Sequence, residues 1–202
     1  MSKRVNSPAG WATVLLWVLT STLGGGMGFA LGFAVSGTLS DFVGRIGRDI
    51  VLFGIFGGSV GIAQWLVLRT RIADAGWWML ASFLAWIVIG ALAGTLEQTL
   101  SLAFAPAVAG AVVGVLQSLV LRRRVRWSGL WVVASTIGWG LSWPVAGASD
   151  VVVALVVTDE IVGYVVLYAI IAAVAGVITG PAFILLLGRS QLERPEYVES
   201  AA

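Results

Sequence analysis

The chain has 202 residues, of which 59% are hydrophobic and only 11% charged, and its mean hydropathy is +0.99. A soluble domain carries about a quarter charged residues, so this composition excludes a soluble globular protein and indicates a multi-pass membrane protein. The sequence contains no Cys and no His. Disulfides and thiolate chemistry are therefore excluded, and the commonest metal ligand and proton carrier is missing, so we expect neither a metal nor a cofactor.

Apolar runs predict six membrane helices, each needing about 20 residues to span a bilayer. They cover residues 10–39, 50–68, 76–96, 102–121, 129–147 and 161–187. We expect the glycine triplet Gly24–Gly26 to tilt or kink the first helix, and Pro144 to bend the fifth. Residues 40–49 are expected to form a surface turn. The apolar run 151–158 is too short to span, so we interpret it as an interfacial or re-entrant segment.

The basic residues predict the orientation of these helices. Residues 1–9, the connection at 69–71, the cluster at 122–126 and the tail at 188–202 would lie on one side and carry ten of the twelve Lys and Arg residues. Only Arg45 and Arg48 would lie on the other side. By the positive-inside rule, residues 1–9 and 188–202 should both be cytoplasmic, and we expect the protein in a bacterial inner membrane.

The helices also recur in pairs. The segment GGSVGIAQWLVLR at 57–69 returns 53 residues later as GAVVGVLQSLVLR at 110–122. The odd-numbered helices share a Trp with a Ser four residues later, at Trp17/Ser21, Trp78/Ser82 and Trp131/Ser135. We therefore predict three parallel two-helix repeats, at 10–69, 76–122 and 129–189. In the third repeat, alignment on its two glycines puts Phe183 where a Gln is expected.

The QWLVLR ending, with W-x-x-x-S in the partner helix, resembles uncharacterised bacterial multi-pass membrane proteins that carry such repeats. The resemblance would cover most of residues 10–189. It implies a repeated helical membrane fold and carries no activity with it.

Glycine pairs mark one face of each even-numbered helix, where small residues let helix backbones approach closely in lipid. The predicted helix-packing residues are Gly57, Gly61, Gly110, Gly114, Gly176 and Gly180. Internal packing of the bundle is the leading interpretation, and a notch that docks a partner subunit is the alternative.

Two glutamines follow these glycines inside the predicted spans. An unpaired amide in hydrocarbon costs about 4–8 kcal/mol, so Gln64 and Gln117 should face protein or water. We interpret them as structural pairs, with a polar patch for a ligand or lipid headgroup as the alternative. Trp86 and Trp139 match across the repeat, and we expect them to fill the core or, alternatively, to line a pocket for an apolar ligand.

The predicted cytoplasmic boundary carries aromatic and basic residues. Its tryptophans should form an interfacial belt, made of Trp11, Trp65, Trp77, Trp78, Trp127 and Trp131. The basic cluster is a topology determinant that is also suited to anionic lipid headgroups, and it consists of Arg122, Arg123, Arg124 and Arg126.

Catalysis is disfavoured because no carboxylate falls inside the predicted spans and an intramembrane Ser would have no evident base. The leading hypothesis is a non-catalytic helical-bundle subunit that packs against membrane lipids, partner subunits or further copies of itself, with no role for nucleic acid. The alternative is the substrate-binding membrane subunit of a small-molecule transporter, which needs no ionisable residue in mid-membrane.

Overall fold

The computed structural model describes residues 8–72, 74–99, 104–122, 125 and 127–192. Within these ranges the chain forms six helices and no strand. The helices are α1 (Pro8–Thr38), α2 (Ser40–Leu68), α3 (Gly76–Thr99), α4 (Ala105–Leu121), α5 (Gly129–Val156) and α6 (Glu160–Leu192). The prediction of an all-α chain with six helices is confirmed.

Two segments that were predicted to interrupt the helices are themselves helical. Residues 40–49 belong to α2, with Gly44 at φ +63° as the one non-helical point, which glycine occupies without a steric penalty. Residues 151–156 continue α5 rather than forming a separate re-entrant piece. Helical structure therefore extends beyond the boundaries predicted at residues 50 and 147, because charged residues such as Asp49 and Asp150 mark a change in polarity and do not stop a helix. A kink at Gly44 does lie within the predicted turn.

Three further sites with glycine or proline lie inside helices without interrupting them. Pro144 is inside α5 and Pro181 is inside α6. α1 runs without interruption through Gly24–Gly26, where it is held between two neighbours. A Cβ on Gly24 would lie 2.9 Å from Val60 Cα of α2, and one on Gly25 would lie 2.9 Å from the Tyr168 carbonyl oxygen of α6. The triplet therefore serves close packing on two sides of α1.

The six described helices form a closed ring. Each helix packs against the next in the chain, and α6 returns to pack against α1. The contact between α3 and α4 is the least extensive in the ring. The first and last helices therefore each have a helix neighbour on both sides, as the other four do.

Polarity in the ring is the reverse of that in a soluble protein. Side chains such as Ser21, Gln64 and Gln117 are buried, whereas Leu19, Leu23 and Met27 of α1 are exposed on its outer face. Four helices, α1, α2, α3 and α6, are long and apolar enough to cross a membrane, and α4 is shorter at 17 residues. This arrangement is typical of an integral membrane protein, whose outer surface meets lipid.

Candidate functional site

Three tryptophans from the odd-numbered helices meet in the middle of the ring. Trp17 of α1, Trp78 of α3 and Trp131 of α5 are almost completely buried. Their ring centroids are separated by 6.0 Å (Trp17 to Trp78), 5.9 Å (Trp17 to Trp131) and 5.3 Å (Trp78 to Trp131), in edge-to-face contacts. We call this set the Trp triad. It closes the middle of the bundle at this level.

Gln64 links α2 to the odd helices on either side of it. Its Oε1 accepts a 3.0 Å hydrogen bond from Trp78 Nε1, and its Nε2 donates a 3.1 Å bond to Ser21 Oγ. One buried side chain therefore fixes the positions of α1 and α3 relative to α2.

Gln117 makes the same two kinds of bond one helix pair later. Its Oε1 accepts from Trp131 Nε1 at 2.8 Å, and its Nε2 donates to Ser82 Oγ at 2.9 Å. Ser82 also donates to the Trp78 carbonyl oxygen of its own helix at 2.8 Å. Because an indole N–H can only donate, the carbonyl end of each glutamine must face the Trp, and the NH₂ end must face the Ser.

On the last even helix, Thr179 takes the place of the glutamine. Trp17 Nε1 donates a 3.0 Å bond to Thr179 Oγ1, which in turn donates to the Ala175 carbonyl oxygen at 2.7 Å. The prediction that Phe183 stands at the glutamine position is therefore wrong. Phe183 instead stacks on Trp17, with ring centroids 5.1 Å apart.

The error in register has a structural cause. Gly61 packs on Ser82, Gly114 packs on Ser135 and Gly176 packs on Ser21. The residue of α6 equivalent to Gly61 is therefore Gly176. Alignment of the sequence instead makes Gly180, one helical turn later, the equivalent of Gly61. Thr179 lies three residues after Gly176, as Gln64 lies three residues after Gly61, so the sequence allows this alternative spacing but does not select it.

A second aromatic layer lies on the other side of the polar residues. Trp86 and Trp139 are in edge-to-face contact with ring centroids 4.9 Å apart, and Phe56 packs against both, at 4.7 Å and 6.2 Å. Tyr168 of α6 contacts Phe56 at 5.5 Å. Sequence reasoning missed Phe56 and Tyr168, which have no counterpart in a repeated motif.

A cavity with room for about one water molecule (about 10 Å³) lies between the two aromatic layers. All six helices contribute to its wall. Gln64, Gln117, Trp86 and Trp139, which the sequence grouped as a candidate polar or ligand-binding patch, all line it. The other polar lining residues are Ser21, Ser82, Ser135 and Thr179.

The predicted packing glycines all lie against a neighbouring helix. A methyl group on Gly57 would collide with the Trp86 ring, and one on Gly110 would lie 2.5 Å from the Ser135 carbonyl oxygen. The corresponding distances are 2.7 Å for Gly61 to Ser82 Cβ and 2.8 Å for Gly114 to Val132 Cα. Contacts at α6 are looser, at 3.3 Å from Gly176 to Ser21 Cβ and 3.2 Å from Gly180 to Trp17 Cδ1.

The predicted tryptophan belt is only partly at the surface. Trp11, Trp77 and Trp127 are each about half exposed, whereas Trp78 and Trp131 are buried in the Trp triad. The prediction is wrong for these two because neighbours such as Trp77 and Trp78 lie about 100° apart around a helix, which is enough for one to face outward and the other to face the interior of the bundle.

Two basic residues that follow α2 contact other side chains of the bundle. Arg69 stacks over Trp65 at 5.3 Å, and Arg71 Nη2 donates a 2.7 Å bond to the buried Thr13 Oγ1. Arg122 is exposed. The other members of the predicted headgroup cluster, Arg123, Arg124 and Arg126, lie outside the described residues.

The chemistry available at the central site is hydrogen bonding through hydroxyl, amide and indole groups. In the described part of the chain, no group of three or more acidic residues is placed to hold a metal ion. Comparison with protein-family models, with curated proteins and with solved structures finds no match to this chain.

Proposed function

We propose that this protein is a non-catalytic six-span membrane subunit that serves as a rigid scaffold, packing its outer surface against lipids and partner proteins. The observation that carries the proposal is the close packing at the centre of the bundle, where the cavity between the two aromatic layers has room for about one water molecule. A centre packed in this way holds the helices in fixed positions and leaves little room for a substrate at that point. The alternative of a transporter subunit that binds a small molecule is correspondingly less favoured.

The scaffold is built, in this proposal, from three helix pairs arranged around a common axis. What supports it is the recurrence of one contact set, in which an even helix bonds the Trp of the next odd helix. The set is Gln64 with Trp78, Gln117 with Trp131 and Thr179 with Trp17. The ring order of the helices fits the same interpretation, because the third contact joins α6 back to α1.

The six helices would all span a bacterial inner membrane, with residues 1–9 and 188–202 both on the cytoplasmic side. The distribution of basic residues supports this orientation, with ten on the proposed cytoplasmic side and two on the other. The exposed Arg122 and the adjoining basic residues would then meet anionic headgroups, at about 1 kcal/mol per basic side chain.

The proposal excludes a catalytic role for the buried serines. Ser21 and Ser82 receive glutamine N–H groups, and Ser82 also donates to its own helix. A serine nucleophile needs an adjacent base to remove its proton, and an amide cannot do so. The bonds of these serines are those expected of residues that hold helices together.

Native mass spectrometry of the full chain, purified in mild detergent, tests the scaffold proposal. We expect a folded species carrying phospholipid, a second copy of the chain or a co-purifying membrane protein. Metabolite extraction from the same sample provides the opposing outcome. A small metabolite bound at one per chain, and raising the melting temperature when added back, would support the transporter subunit and overturn the scaffold.

A further inference from the structure

The hydrogen bonds around the cavity are complete at two positions and incomplete at the third. Gln64 and Gln117 are each long enough to reach a Trp on one neighbouring helix and a Ser on the other. Thr179 reaches only Trp17 on α1. The serine on its other side, across the α5–α6 contact, is Ser135, which corresponds to Ser21 and Ser82 in the W-x-x-x-S pattern.

Ser135 is consequently the exception among the buried serines of this layer. It is only 1% exposed, and its Oγ has no hydrogen-bond partner among the residues that the structure describes. A buried hydroxyl without a partner is destabilising, and native proteins normally satisfy such groups with protein or with ordered water. The Ser135 hydroxyl borders the central cavity, as does Thr179.

The cavity has both the size and the polar groups that a water molecule requires. Its volume of about 10 Å³ of space for a water centre corresponds to about one molecule. A buried water typically makes about three hydrogen bonds. Ser135 Oγ retains its full capacity, Thr179 Oγ1 retains one lone pair beside its bonds to Trp17 and Ala175, and Ser21 Oγ retains its proton beside the bond from Gln64.

We propose that this cavity is a binding site for a single structural water, which takes the place of the amide nitrogen that a third glutamine would supply. The water bridges Ser135 to the Thr179 and Ser21 hydroxyls, so that α5, α6 and α1 are joined as Gln64 joins α1, α2 and α3. The site is distinct from the outer surfaces through which the scaffold would act, and it stands whether or not a partner subunit exists.

The variant Ser135→Ala tests the proposal by the sign of its effect on the melting temperature. With a bound water, the variant removes one of its partners and lowers the melting temperature by about 2–4 °C, the shift expected for a loss near one hydrogen bond in a protein of this size. With a dry cavity, it removes an unpaired buried hydroxyl, and the melting temperature stays the same or rises. That second result would overturn the proposal. Ser118→Ala, which changes a partly exposed serine bonded within its own helix, is the matched control.

The variant Thr179→Gln provides an independent test. The added amide should displace the water and bond Ser135 directly, which should raise the melting temperature. This increase should disappear in the double variant that also carries Ser135→Ala. A density map at a resolution that shows waters would decide the matter even if Thr179→Gln folds poorly. A peak within hydrogen-bonding distance of Ser135 Oγ in the natural protein supports the proposal, and a clear map without one contradicts it.

Discussion

Trp17 and Thr179 are 162 residues apart in the chain, yet the indole Nε1 of one donates a 3.0 Å hydrogen bond to the Oγ1 of the other. The two residues lie on α1 and α6, the first and last helices of the ring. Ring closure therefore rests on a specific polar contact as well as on packing. It is also the place where the regular use of glutamine gives way to a shorter side chain.

Removing this contact should destabilise the closed ring. Thr179→Val keeps the shape of the side chain but leaves the Trp17 N–H buried without a partner, at a cost of about 1–3 kcal/mol. We expect a lower melting temperature of the detergent-solubilised protein in a fluorescence-based thermal unfolding assay. Thr136→Val is the control, since Thr136 bonds only the Val132 carbonyl oxygen of its own helix. Equal effects of the two variants would contradict a role for Thr179 in closure.

The buried glutamines should contribute more to the free energy of unfolding than polar side chains of the same helices that face outward. Gln117→Leu leaves both Trp131 Nε1 and Ser82 Oγ without their amide partner, and we expect a loss of about 1–3 kcal/mol in unfolding free energy. Steric trapping or a denaturant titration in bicelles would measure it. Ser118→Ala, one residue along, should change the same quantity by less than about 0.5 kcal/mol. A Gln117→Leu protein as stable as the natural one would show that these bonds contribute nothing net.

Close helix packing predicts a contrast between two adjacent glycines. Gly57→Ala introduces a methyl group into the Trp86 ring, and overpacking of this kind costs about 1–3 kcal/mol. At Gly58 the nearest atom to an added Cβ is Phe83 Cδ2 at 3.4 Å, an ordinary contact. Gly58→Ala should therefore be neutral or stabilise the helix by roughly 0.5–1 kcal/mol. Thermal unfolding of the two variants side by side checks this, and a reversed order would refute the packing described for α2 and α3.

The proposed orientation can be tested by labelling, because the natural chain contains no Cys. Asp41 and Arg122 are both exposed and lie at opposite ends of the bundle in the proposed topology. Asp41→Cys should react with a membrane-impermeant maleimide in cells whose outer membrane alone has been permeabilised. Arg122→Cys should react only after the inner membrane is opened. Labelling of Arg122→Cys in intact spheroplasts would show that the orientation is the opposite of the one proposed.

Much of this architecture could be predicted from local features of the sequence. Hydropathy alone identified six helices, because a helix in lipid must present apolar side chains over a long stretch. Spacing alone put Gly57, Gly61 and Gln64 on one helix face. Helix ends were less accessible: the sequence placed them at polar residues, yet α2 and α5 continue past Asp49 and Asp150.

Only the tertiary structure decided which side chains meet. Trp77 and Trp78 are adjacent and identical in the sequence, but Trp77 is half exposed and Trp78 lies in the Trp triad. The rotation of α3 about its own axis, which its neighbours fix, decides which of the two faces inward. The register of α6 was equally hidden: its glycines allow two alignments one turn apart, and contacts with Trp17 and Ser21 select Thr179 over Phe183. A hydrophobic sequence predicts that helices form and roughly where each one lies in the chain. The match of side chains across the ring then depends on shape and hydrogen-bond partners, which no single helix contains.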